Sequence, residues 1–493
     1  MATPTSTIAP PWLAPASAAN AANAAAANAA TGGRLRRQPR PPRPHAPRWW
    51  RDAAGSLTWL SLLAVVALWV HHGGLGQLAS ISAGLTGLGR LTGLLSSDLL
   101  LIQVLLMARV PFVERAYGQD ELTRRHRYIG FASFTLMLVH IAFLTAGYAA
   151  SASSNVVAEL WNMIWTFPGM LLATAGTALL VVVTVTSIRR ARRKLRYESW
   201  HLLHLYAYLG VFLALPHQLW TGADFLASRA ATAYWWTLWA VTALAVVQFR
   251  VGLPLYRTLR HRLVVDRVVR EAPGVVSVHL RGRHLDELEA RAGQFFIWRF
   301  LDGPGWTRGN PYSLSAAPDG RSLRITVKAL GDGSRRLARL RPGTRVLLEG
   351  PYGRLTGDVR TRRNVTLVAS GIGITPMRAL LEEFDDTPGA ITLIYRTSKD
   401  RDIVFRRELD TLAAARRARL WYVPGHRSAR SDSWLPGGQE HLDPALALTQ
   451  LAPAIAESDV YVCGPDGWMD AVRDAARRAG TPAGRIHLER FAI

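Results

Sequence analysis

The sequence predicts a multi-domain membrane protein in which a six-helix transmembrane bundle precedes an antiparallel β-barrel and an α/β domain with a parallel sheet. Three observations support this fold class. Six long apolar segments occupy the first half of the chain. Short β-rich runs separated by Gly and Pro turns begin near residue 262. From about residue 362, apolar strands alternate with helical patterns, as they do in parallel sheets with crossover helices.

Apolar content and positive charge are both high in this chain. Hydrophobic residues make up 49% of it, and Arg and Lys outnumber Asp and Glu by 59 to 35, which leaves a formal net charge of +24. A nucleic-acid-binding protein would place its basic residues in a stripe across a folded surface. Here they cluster beside the apolar runs, as in the cytoplasmic loops of membrane proteins. We therefore expect a lipid bilayer as a partner and no nucleic acid.

The membrane part is predicted from the length and position of the apolar segments. Residues 1–54 are expected to form a disordered basic tail, because a stretch rich in Arg, Pro and Ala cannot bury a core. Residues 55–254 form the predicted membrane domain, and each segment is near the ~20 residues that cross a bilayer. The segments are centred on residues 57–72, 91–110, 128–148, 165–187, 201–219 and 232–252.

The distribution of arginine predicts the orientation. The connections 109–127 and 189–196 and the stretch after the sixth segment are rich in Arg, whereas the alternate connections contain little beyond Arg90 and Arg229. Basic loops stay in the cytoplasm. We therefore expect both termini on the cytoplasmic side of the cell membrane.

Four histidines in the third and fifth segments are the predicted metal ligands. His126 and His140 are 14 residues apart, which on a helix returns to within roughly 40° of one face and separates them by about 21 Å. His204 and His217 are separated by roughly 20 Å, but they lie about 140° out of phase on an ideal helix. Pro216 removes a helical hydrogen bond, so a kink there could redirect His217.

The two histidine-bearing segments cross in the same direction, so His126 can face His204 near the cytoplasm and His140 can face His217 near the outside. Two b-type haems with paired histidine ligands are the predicted cofactors, because two stacked haems divide a bilayer that is too thick for one electron hop. His201 is an alternative to His204. The competing interpretation is that these histidines are hydrogen-bonded within the bundle. The single cysteine, Cys463, excludes a four-cysteine iron–sulfur cluster within the chain.

Residues 262–360 are the predicted FAD-binding barrel. The run from Arg308 to Ser315 places an aromatic ring beside a hydroxyl, which suits an isoalloxazine: Tyr312 can stack on it and Ser313 can hydrogen-bond to it. A glycine-rich turn downstream can present donors to the pyrophosphate. The residues expected to bind FAD are Arg308, Asn310, Pro311, Tyr312, Ser313, Leu314, Lys328, Gly331, Gly333 and Ser334.

Residues 361–493 are the predicted NAD(P)-binding domain. Two strands end in glycine turns, where a cofactor can approach the backbone at a helix N-terminus. The second turn places Cys463 where a nicotinamide could meet the flavin; a catalytic thiol is the competing role. Basic and hydroxyl groups after a third strand favour NADPH, although a solvated loop and NADH remain open. The residues expected to bind the dinucleotide are Gly371, Gly373, Thr375, Pro376, Arg396, Ser398, Cys463, Gly464 and Pro465.

With these motifs assembled, residues 55–493 resemble the NADPH oxidase and ferric reductase superfamily. The resemblance rests on the histidine pairs, the NPYSLS and GIGITP runs, the CGP turn and the C-terminal HLERF. It implies that Phe491 covers the flavin ring and that Arg90 lies near the outer haem. Asn310 stands where the family usually has His or Arg, and Arg308 is the candidate substitute. Tyr312, Ser313, Cys463 and Phe491 are the implied catalytic residues.

The implied activity is electron transfer from cytoplasmic NAD(P)H through FAD and two haems to dioxygen or a ferric chelate on the outer side. An electron-relay subunit that donates to an extracytoplasmic partner protein is a second hypothesis. A membrane-anchored flavin reductase without haem is a third. The sequence does not distinguish among the acceptors or the oligomeric states.

Overall fold

A computed structural model describes residues 49–188, 197–384, 390–428 and 432–490. The chain divides into two compact units, a membrane unit that ends at Leu253 and a second unit that begins at Pro254. Most of the predicted basic tail, the arginine-rich connection 189–196 and Phe491 lie outside the described residues.

The membrane unit is helical throughout its described part. Six of its helices are long and apolar enough to cross a membrane, which confirms the predicted spans. These are α1, α2, α4, α6, α7 and α9; the last continues through a π-helical turn, Gln248–Gly252, into α10. The helices are α1 (Trp49–His71), α2 (Ile81–Met107), α3 (Pro111–Tyr117), α4 (Gln119–Ala152), α5 (Val156–Thr166), α6 (Met170–Ser187), α7 (Tyr197–Trp220), α8 (Ala223–Leu226) and α9 (Arg229–Val247), and α10 (Leu253–His261) belongs almost wholly to the second unit.

Two helix pairs organise this unit: α2 packs along α4, and α6 packs along α7. Glycines allow the close approach, because a Cβ atom at Gly176 of α6 would lie 2.6 Å from the carbonyl oxygen of Gly210 on α7. Small residues commonly mediate helix contacts in membranes in this way. Within the described residues, α4 and α7 do not pack directly along each other.

The connection between the third and fourth spans contains a helix that the sequence analysis did not predict. Helix α5 occupies residues from Val156 to Thr166, and the fourth span begins only at Met170, not near residue 165. Gly169 has φ of +81° and precedes this start. A positive φ is accessible to glycine without strain, so the chain turns there before α6 begins.

After α10, the second unit contains two three-stranded antiparallel sheets, in the orders β1-β2-β5 and β4-β3-β6. Bridges from Val264 to Arg345 and from Leu314 to Ile325 join their strands. Phe296 and Trp298 of β3 are fully buried in the core between them. The elements are β1 (Val264–Ala272), β2 (Val275–Arg281), β3 (Phe295–Phe300), β4 (Asn310–Ser313), β5 (Ser322–Lys328), α11 (Asp332–Arg336) and β6 (Val346–Tyr352).

A five-stranded parallel sheet in the order β11-β10-β7-β8-β9 follows, which confirms the predicted α/β fold. Separate apolar clusters cover its two faces, as a parallel sheet requires. The outer strands β9 and β11 were not predicted. The elements are β7 (Val365–Ser370), α12 (Ile374–Glu383), β8 (Ile391–Thr397), α13 (Arg406–Arg416), β9 (Arg419–Pro424), α14 (Pro444–Leu451), β10 (Asp459–Cys463), α15 (Asp466–Arg478) and β11 (Ile486–Glu489).

Candidate functional site

The rings of His126 on α4 and His204 on α7 face each other across the membrane unit. Their centroids are 5.9 Å apart and their planes meet at 69°. The Nδ1 atom of His126 lies 3.2 Å from the carbonyl oxygen of Gln103 on α2. The Nδ1 atom of His204 lies 3.2 Å from the hydroxyl of Ser187, the last residue of α6. Each ring is thus held by a neighbouring helix through one nitrogen.

His140, the second histidine of α4, is fixed by α2 at another level. Its Nδ1 atom lies 2.7 Å from the carbonyl oxygen of Gly89. A Cβ atom at Gly93 would come within 2.3 Å of the same nitrogen, so only glycine leaves room for the ring. His217 of α7 lies close enough to His140 to interact with it electrostatically. The backbone of Gly169 approaches α7 at Pro216 and His217. A Cβ atom at Gly169 would lie 2.8 Å from the backbone nitrogen of His217.

These donor sets fit a haem bound between two histidines. A metal-bound histidine usually engages a carbonyl or other acceptor through its second nitrogen, and Nδ1 of His126, His140 and His204 is engaged in this way. A ring separation of 5.9 Å suits two imidazoles on opposite sides of one iron, because metal–imidazole bonds are about 2 Å long and the ring centre lies about 1 Å beyond the nitrogen. Helices α4 and α7 approach through these side chains rather than through direct packing in the described structure.

Arg90 of α2 follows Gly89, the residue whose carbonyl holds His140. Its guanidinium donates through Nε to Oδ2 of Asp224, at 2.7 Å, and through a second nitrogen to Oδ1. Asp224 on α8 is buried, and Arg90 is partly exposed. The arginine expected near the outer haem is therefore ion-paired at the level of His140.

Asp98 of α2 is a buried polar residue that the sequence analysis did not single out. It is fully buried, and its Oδ1 atom accepts hydrogen bonds from the hydroxyls of Ser61 on α1 and Tyr234 on α9. Its signal in the sequence is a single acidic residue inside the second apolar segment. Ionisable residues within membrane spans are functional candidates.

In the second unit, Tyr312 and Ser313 lie at the end of β4, where they were expected. The carbonyl oxygen of Tyr312 accepts a hydrogen bond from Nε1 of Trp298, at 3.0 Å. Burial raises the pKa of Tyr312 to about 12, so its phenol stays neutral. The Ser313 hydroxyl is buried and has no hydrogen-bond partner among the described residues. Buried hydroxyls are normally satisfied, so this group is available for a bound ligand.

The neighbouring residues of the predicted flavin site lie along the same edge. Leu314 donates its N–H to the carbonyl oxygen of Gln294 at 2.9 Å, which fixes the strand. The Asn310 side chain donates to the carbonyl oxygen of Arg308 at 3.3 Å. Pro311 and Lys328 are exposed.

The glycine-rich turn lies close to β4, because a Cβ atom at Gly333 would be 3.5 Å from the Asn310 side chain. The Ser334 hydroxyl accepts hydrogen bonds from the N–H groups of Leu330 and Gly331 and donates to the Gly331 carbonyl oxygen, each at 2.9 Å. It thereby shapes the turn, and a contact from Ser334 to a pyrophosphate stays a prediction.

Two glycine turns meet at the carboxyl ends of β7 and β10. A Cβ atom at Gly373 would lie 2.2 Å from the carbonyl oxygen of Cys463, so the turns touch through the backbone. Gly371 has φ of +57°. The Thr375 hydroxyl donates to the Ile372 carbonyl oxygen at 3.0 Å. Next in the chain, Pro376 is buried.

On the other side of this junction, a Cβ atom at Gly464 would lie 2.8 Å from the ring of Trp468, and Pro465 is the N-cap of α15. Burial raises the pKa of the Cys463 thiol well above its usual range. The thiol is therefore protonated and a poor nucleophile, which argues against the catalytic-thiol alternative.

Arg396 binds main-chain carbonyls rather than presenting its charge to solvent. Its guanidinium donates to the carbonyl oxygens of Val423, Gly425 and His426 in the chain after β9. Burial lowers the pKa of Arg396 to about 10. Ser398, Lys399 and Arg401 of this loop are exposed, as are Asp400 and Asp402. A contact from Arg396 to a 2′-phosphate stays a prediction.

Ion pairs join the antiparallel sheets to the parallel-sheet domain. Glu408 of α13 accepts two hydrogen bonds of 2.9 Å from Arg324 of β5 and another of 2.9 Å from Nε of Arg378 on α12. Both arginines are buried. Nearby, the side chain of Glu383 accepts the N–H of Ala292 at 2.8 Å.

A helical membrane unit joined to antiparallel sheets and a parallel sheet with glycine turns defines a membrane-bound oxidoreductase with a nucleotide-cofactor module. Comparison with known proteins agrees. Residues 92–215 match the family of ferric reductase like transmembrane components. Residues 367–474 match the family of oxidoreductase NAD-binding domains. Together the two matches give the architecture of ferric reductase and NADPH oxidase-type fusion proteins, in which a ferredoxin–NADP reductase-like module follows a transmembrane component.

Similar proteins with curated names each match less than half of this chain. The ferredoxin–NADP reductase B of Sorangium cellulosum is 31% identical over 208 residues, which cover 41% of this chain and 84% of that protein. The ferredoxin reductase component of the 3-ketosteroid-9-alpha-monooxygenase of Mycolicibacterium smegmatis is 34% identical and covers 42% of this chain and 57% of that protein. The chain thus spans little more than half of some of these relatives.

Among solved structures, the FAD/NAD-binding domain of nitric oxide dioxygenase from Vibrio cholerae is 25% identical. It aligns with a TM-score of 0.37 over 47% of this chain and 98% of that chain.

Proposed function

We propose that this protein transfers electrons across the cell membrane, from cytoplasmic NAD(P)H through FAD and two b-type haems to an acceptor on the outer side. One observation carries the proposal: the rings of His126 and His204 face each other at 5.9 Å on two helices that do not pack directly along each other in the described structure. The ferredoxin–NADP reductase-like unit of the same chain supplies the electron source.

In the membrane unit, His126 and His204 are the residues proposed to hold the iron of an inner haem, and His140 and His217 would hold that of an outer haem. The carbonyl oxygens of Gln103 and Gly89 orient the two histidines of α4 and leave Nε2 of each for iron. His204 is preferred to His201 because its ring faces His126.

In the second unit, bound FAD would accept a hydride from NAD(P)H and release its electrons singly, and bound haems would carry single electrons. Tyr312 would pack on the flavin ring, and the buried Ser313 hydroxyl, which has no partner among the described residues, would hydrogen-bond to it. The glycine turns at Gly371 and Gly464 let the dinucleotide approach the backbone. Cys463 and Phe491 are proposed to lie beside the nicotinamide and the flavin, respectively.

NADPH is the proposed donor. Ser398, Lys399 and Arg401 are exposed after β8, where a 2′-phosphate lies in related parallel-sheet domains. Because the Arg396 guanidinium binds backbone carbonyls, its proposed contribution is to hold the loop against which the phosphate binds.

A reduced-minus-oxidised absorption spectrum of the purified protein tests the haem relay. We expect a b-type haem signal on addition of NADPH without oxygen, with about two haems per FAD. His140→Ala and His217→Ala should each remove about half of that signal. The matched control is His71→Ala, an exposed histidine at the end of α1, which should retain the full signal. Flavin reduction without any haem signal would contradict the relay and would indicate a membrane-anchored flavin reductase.

The acceptor is proposed to be dioxygen or a ferric chelate. Cytochrome c reduction that superoxide dismutase abolishes would identify dioxygen. Reduction of a ferric chelate in the absence of oxygen, insensitive to dismutase, would identify the chelate. Activity with neither acceptor until a partner protein is added would instead indicate a relay subunit.

A further inference from the structure

Three helices of the membrane unit converge on the buried carboxyl group of Asp98. The Ser61 hydroxyl of α1 donates to its Oδ1 atom at 2.8 Å, and the Tyr234 hydroxyl of α9 donates to the same atom at 2.6 Å. The side chain of Asp98 has no exposed surface. The separation of 2.6 Å is typical of a hydroxyl that donates to a carboxylate.

The second carboxyl oxygen, Oδ2, is buried and has no hydrogen-bond partner among the described residues. A buried carboxylate is costly unless its charge is paired. The arginine of the same helix, Arg90, is already paired with Asp224. Oδ2 is therefore the atom at which a proton can be held without breaking an existing contact, because both hydroxyls keep donating to Oδ1 whether or not Oδ2 is protonated.

Asp98 lies on α2 between the two residues that hold the histidines of α4. Along the helix axis it is about 13 Å from Gly89, which contacts His140, and about 8 Å from Gln103, which contacts His126. A charge gained at either histidine level therefore acts on Asp98 through an apolar interior that screens it weakly.

The helices packed around Asp98 contribute few other titratable or charged groups near its carboxyl group. Helix α9 contributes Tyr234, and α4 contributes His126 and His140. Helix α1 contributes Ser61, and its charged residues Arg51 and Asp52 lie about 13 Å or more away along the helix.

We propose that Oδ2 of Asp98 is a proton-binding site coupled to the electron content of the membrane unit. One electron that enters the membrane unit from NAD(P)H is accompanied by one proton from water, which converts the carboxylate to the carboxylic acid. The proton is released when the electron leaves to the acceptor. The coupling keeps net charge from accumulating inside the bilayer. The inference rests on the proposed transmembrane electron transfer.

The first test is the pH dependence of the haem midpoint potentials in the full-length protein. We expect at least one potential to fall as pH rises, with a slope no steeper than about 59 mV per pH unit. In Asp98→Asn that slope should flatten, because the amide cannot bind the proton. The matched control is Glu159→Gln, which removes a partly exposed acid of α5 and should keep the slope. Equal slopes in the wild type and Asp98→Asn would overturn the proposal.

Infrared difference spectroscopy provides a readout that does not depend on a folded Asp98→Asn variant. The reduced-minus-oxidised spectrum of the wild type should gain the C=O stretch of a protonated carboxyl. That band should shift in Tyr234→Phe, which removes one donor to Oδ1 and keeps the ring. A spectrum without a carboxyl band would overturn the proposal.

Two further outcomes separate this inference from its alternatives. The three oxygen-bearing side chains could also hold Na⁺, so potentials that respond to Na⁺ at fixed pH, and not to pH at fixed Na⁺, would overturn the proton assignment. Haem that is present with potentials independent of pH would overturn this inference and leave the proposed function intact. Absence of haem would overturn both.

Discussion

The hydroxyl of Ser313 is buried at the end of β4 without a hydrogen-bond partner among the described residues. Leaving a buried hydroxyl unsatisfied costs about 1–3 kcal/mol, so we expect a bound flavin to supply the partner. In Ser313→Ala, the rate of flavin reduction by NADPH should fall about tenfold to a hundredfold, while FAD content is retained. Anaerobic stopped-flow absorbance measures the rate, and Ser322→Ala, an exposed serine of β5, is the control. An unchanged rate per bound FAD would assign Ser313 a purely structural role.

Single residues also mark the limit of prediction from sequence. The four histidines stood out because they lie in or at the edges of apolar segments. His217 was expected to be out of phase with His204, yet the structure brings it within electrostatic range of His140. Asp98 was overlooked because its partners, Ser61 and Tyr234, are distant in the sequence and meet it only through helix packing. Arg396 is basic in the sequence, but whether its charge faces solvent depends on carbonyls contributed after β9.

At the scale of elements, α2 supports the histidines of α4 through its glycines. A Cβ atom at Gly93 would lie 2.3 Å from Nδ1 of His140, so Gly93→Ala must displace either the ring or the helix. We expect this variant to lose about half of the haem signal in the absorption spectrum, which corresponds to one of the two proposed haems. Gly84→Ala is the matched control on the same helix, because its Cβ atom would meet nothing closer than 3.8 Å. A full haem content in Gly93→Ala would show that haem binding does not require the present position of the His140 ring.

The ion pairs that link Glu408 of α13 to Arg324 of β5 and Arg378 of α12 predict that the stability of the protein decreases at acidic pH. Burial alone would raise the pKa of Glu408, but the hydrogen bonds from Arg324 and the charges of Arg324 and Arg378 lower it below its usual value. A carboxyl group whose pKa is lowered by folding stabilises the protein above its unfolded pKa, about 4.3, and loses that contribution as pH falls through the folded value.

Glu408→Gln should therefore lower the free energy of unfolding at neutral pH by about 1–2 kcal/mol, since solvent partly screens the pair. The difference from the wild type should narrow below about pH 4. Thermal unfolding followed by flavin fluorescence measures this difference in free energy. The control is Glu457→Gln, which replaces an exposed acid and should unfold as the wild type does. A difference that stays constant down to pH 3 would indicate that the carboxylate charge is not responsible.

Elements with strong local signals were predicted, and those defined by tertiary contacts were not. Long apolar segments and the alternation of strands and helices identified the six spans and three strands of the parallel sheet. Helix α5 was missed because 11 residues between two spans look like a connection. Strand β11 was missed because Ile486–Glu489 is only four residues long and forms by pairing with β10.

At the scale of the whole molecule, the arginine distribution predicts the topology, and the single cysteine makes it measurable. Cys463 is fully buried, so it should not react with a membrane-impermeant maleimide. Ser154→Cys, in the exposed connection before α5, should be labelled in intact cells. Ser322→Cys, in the second unit, should be labelled only after permeabilisation. The opposite pattern would invert the proposed orientation, and labelling of the wild type would invalidate the assay.

The ion pairs around Glu408 bear on how such a protein can be recombined. Arg324 belongs to the antiparallel sheets, whereas Arg378 and Glu408 belong to the parallel-sheet domain. A chimera joined near residue 361 would separate Arg324 from Glu408 and bury the Arg324 guanidinium group without its carboxylate. A junction at the start of β1 keeps all three together. The second unit can therefore be exchanged between such proteins only as a whole. A new specificity for the electron donor is best introduced by transferring both the antiparallel sheets and the parallel-sheet domain together.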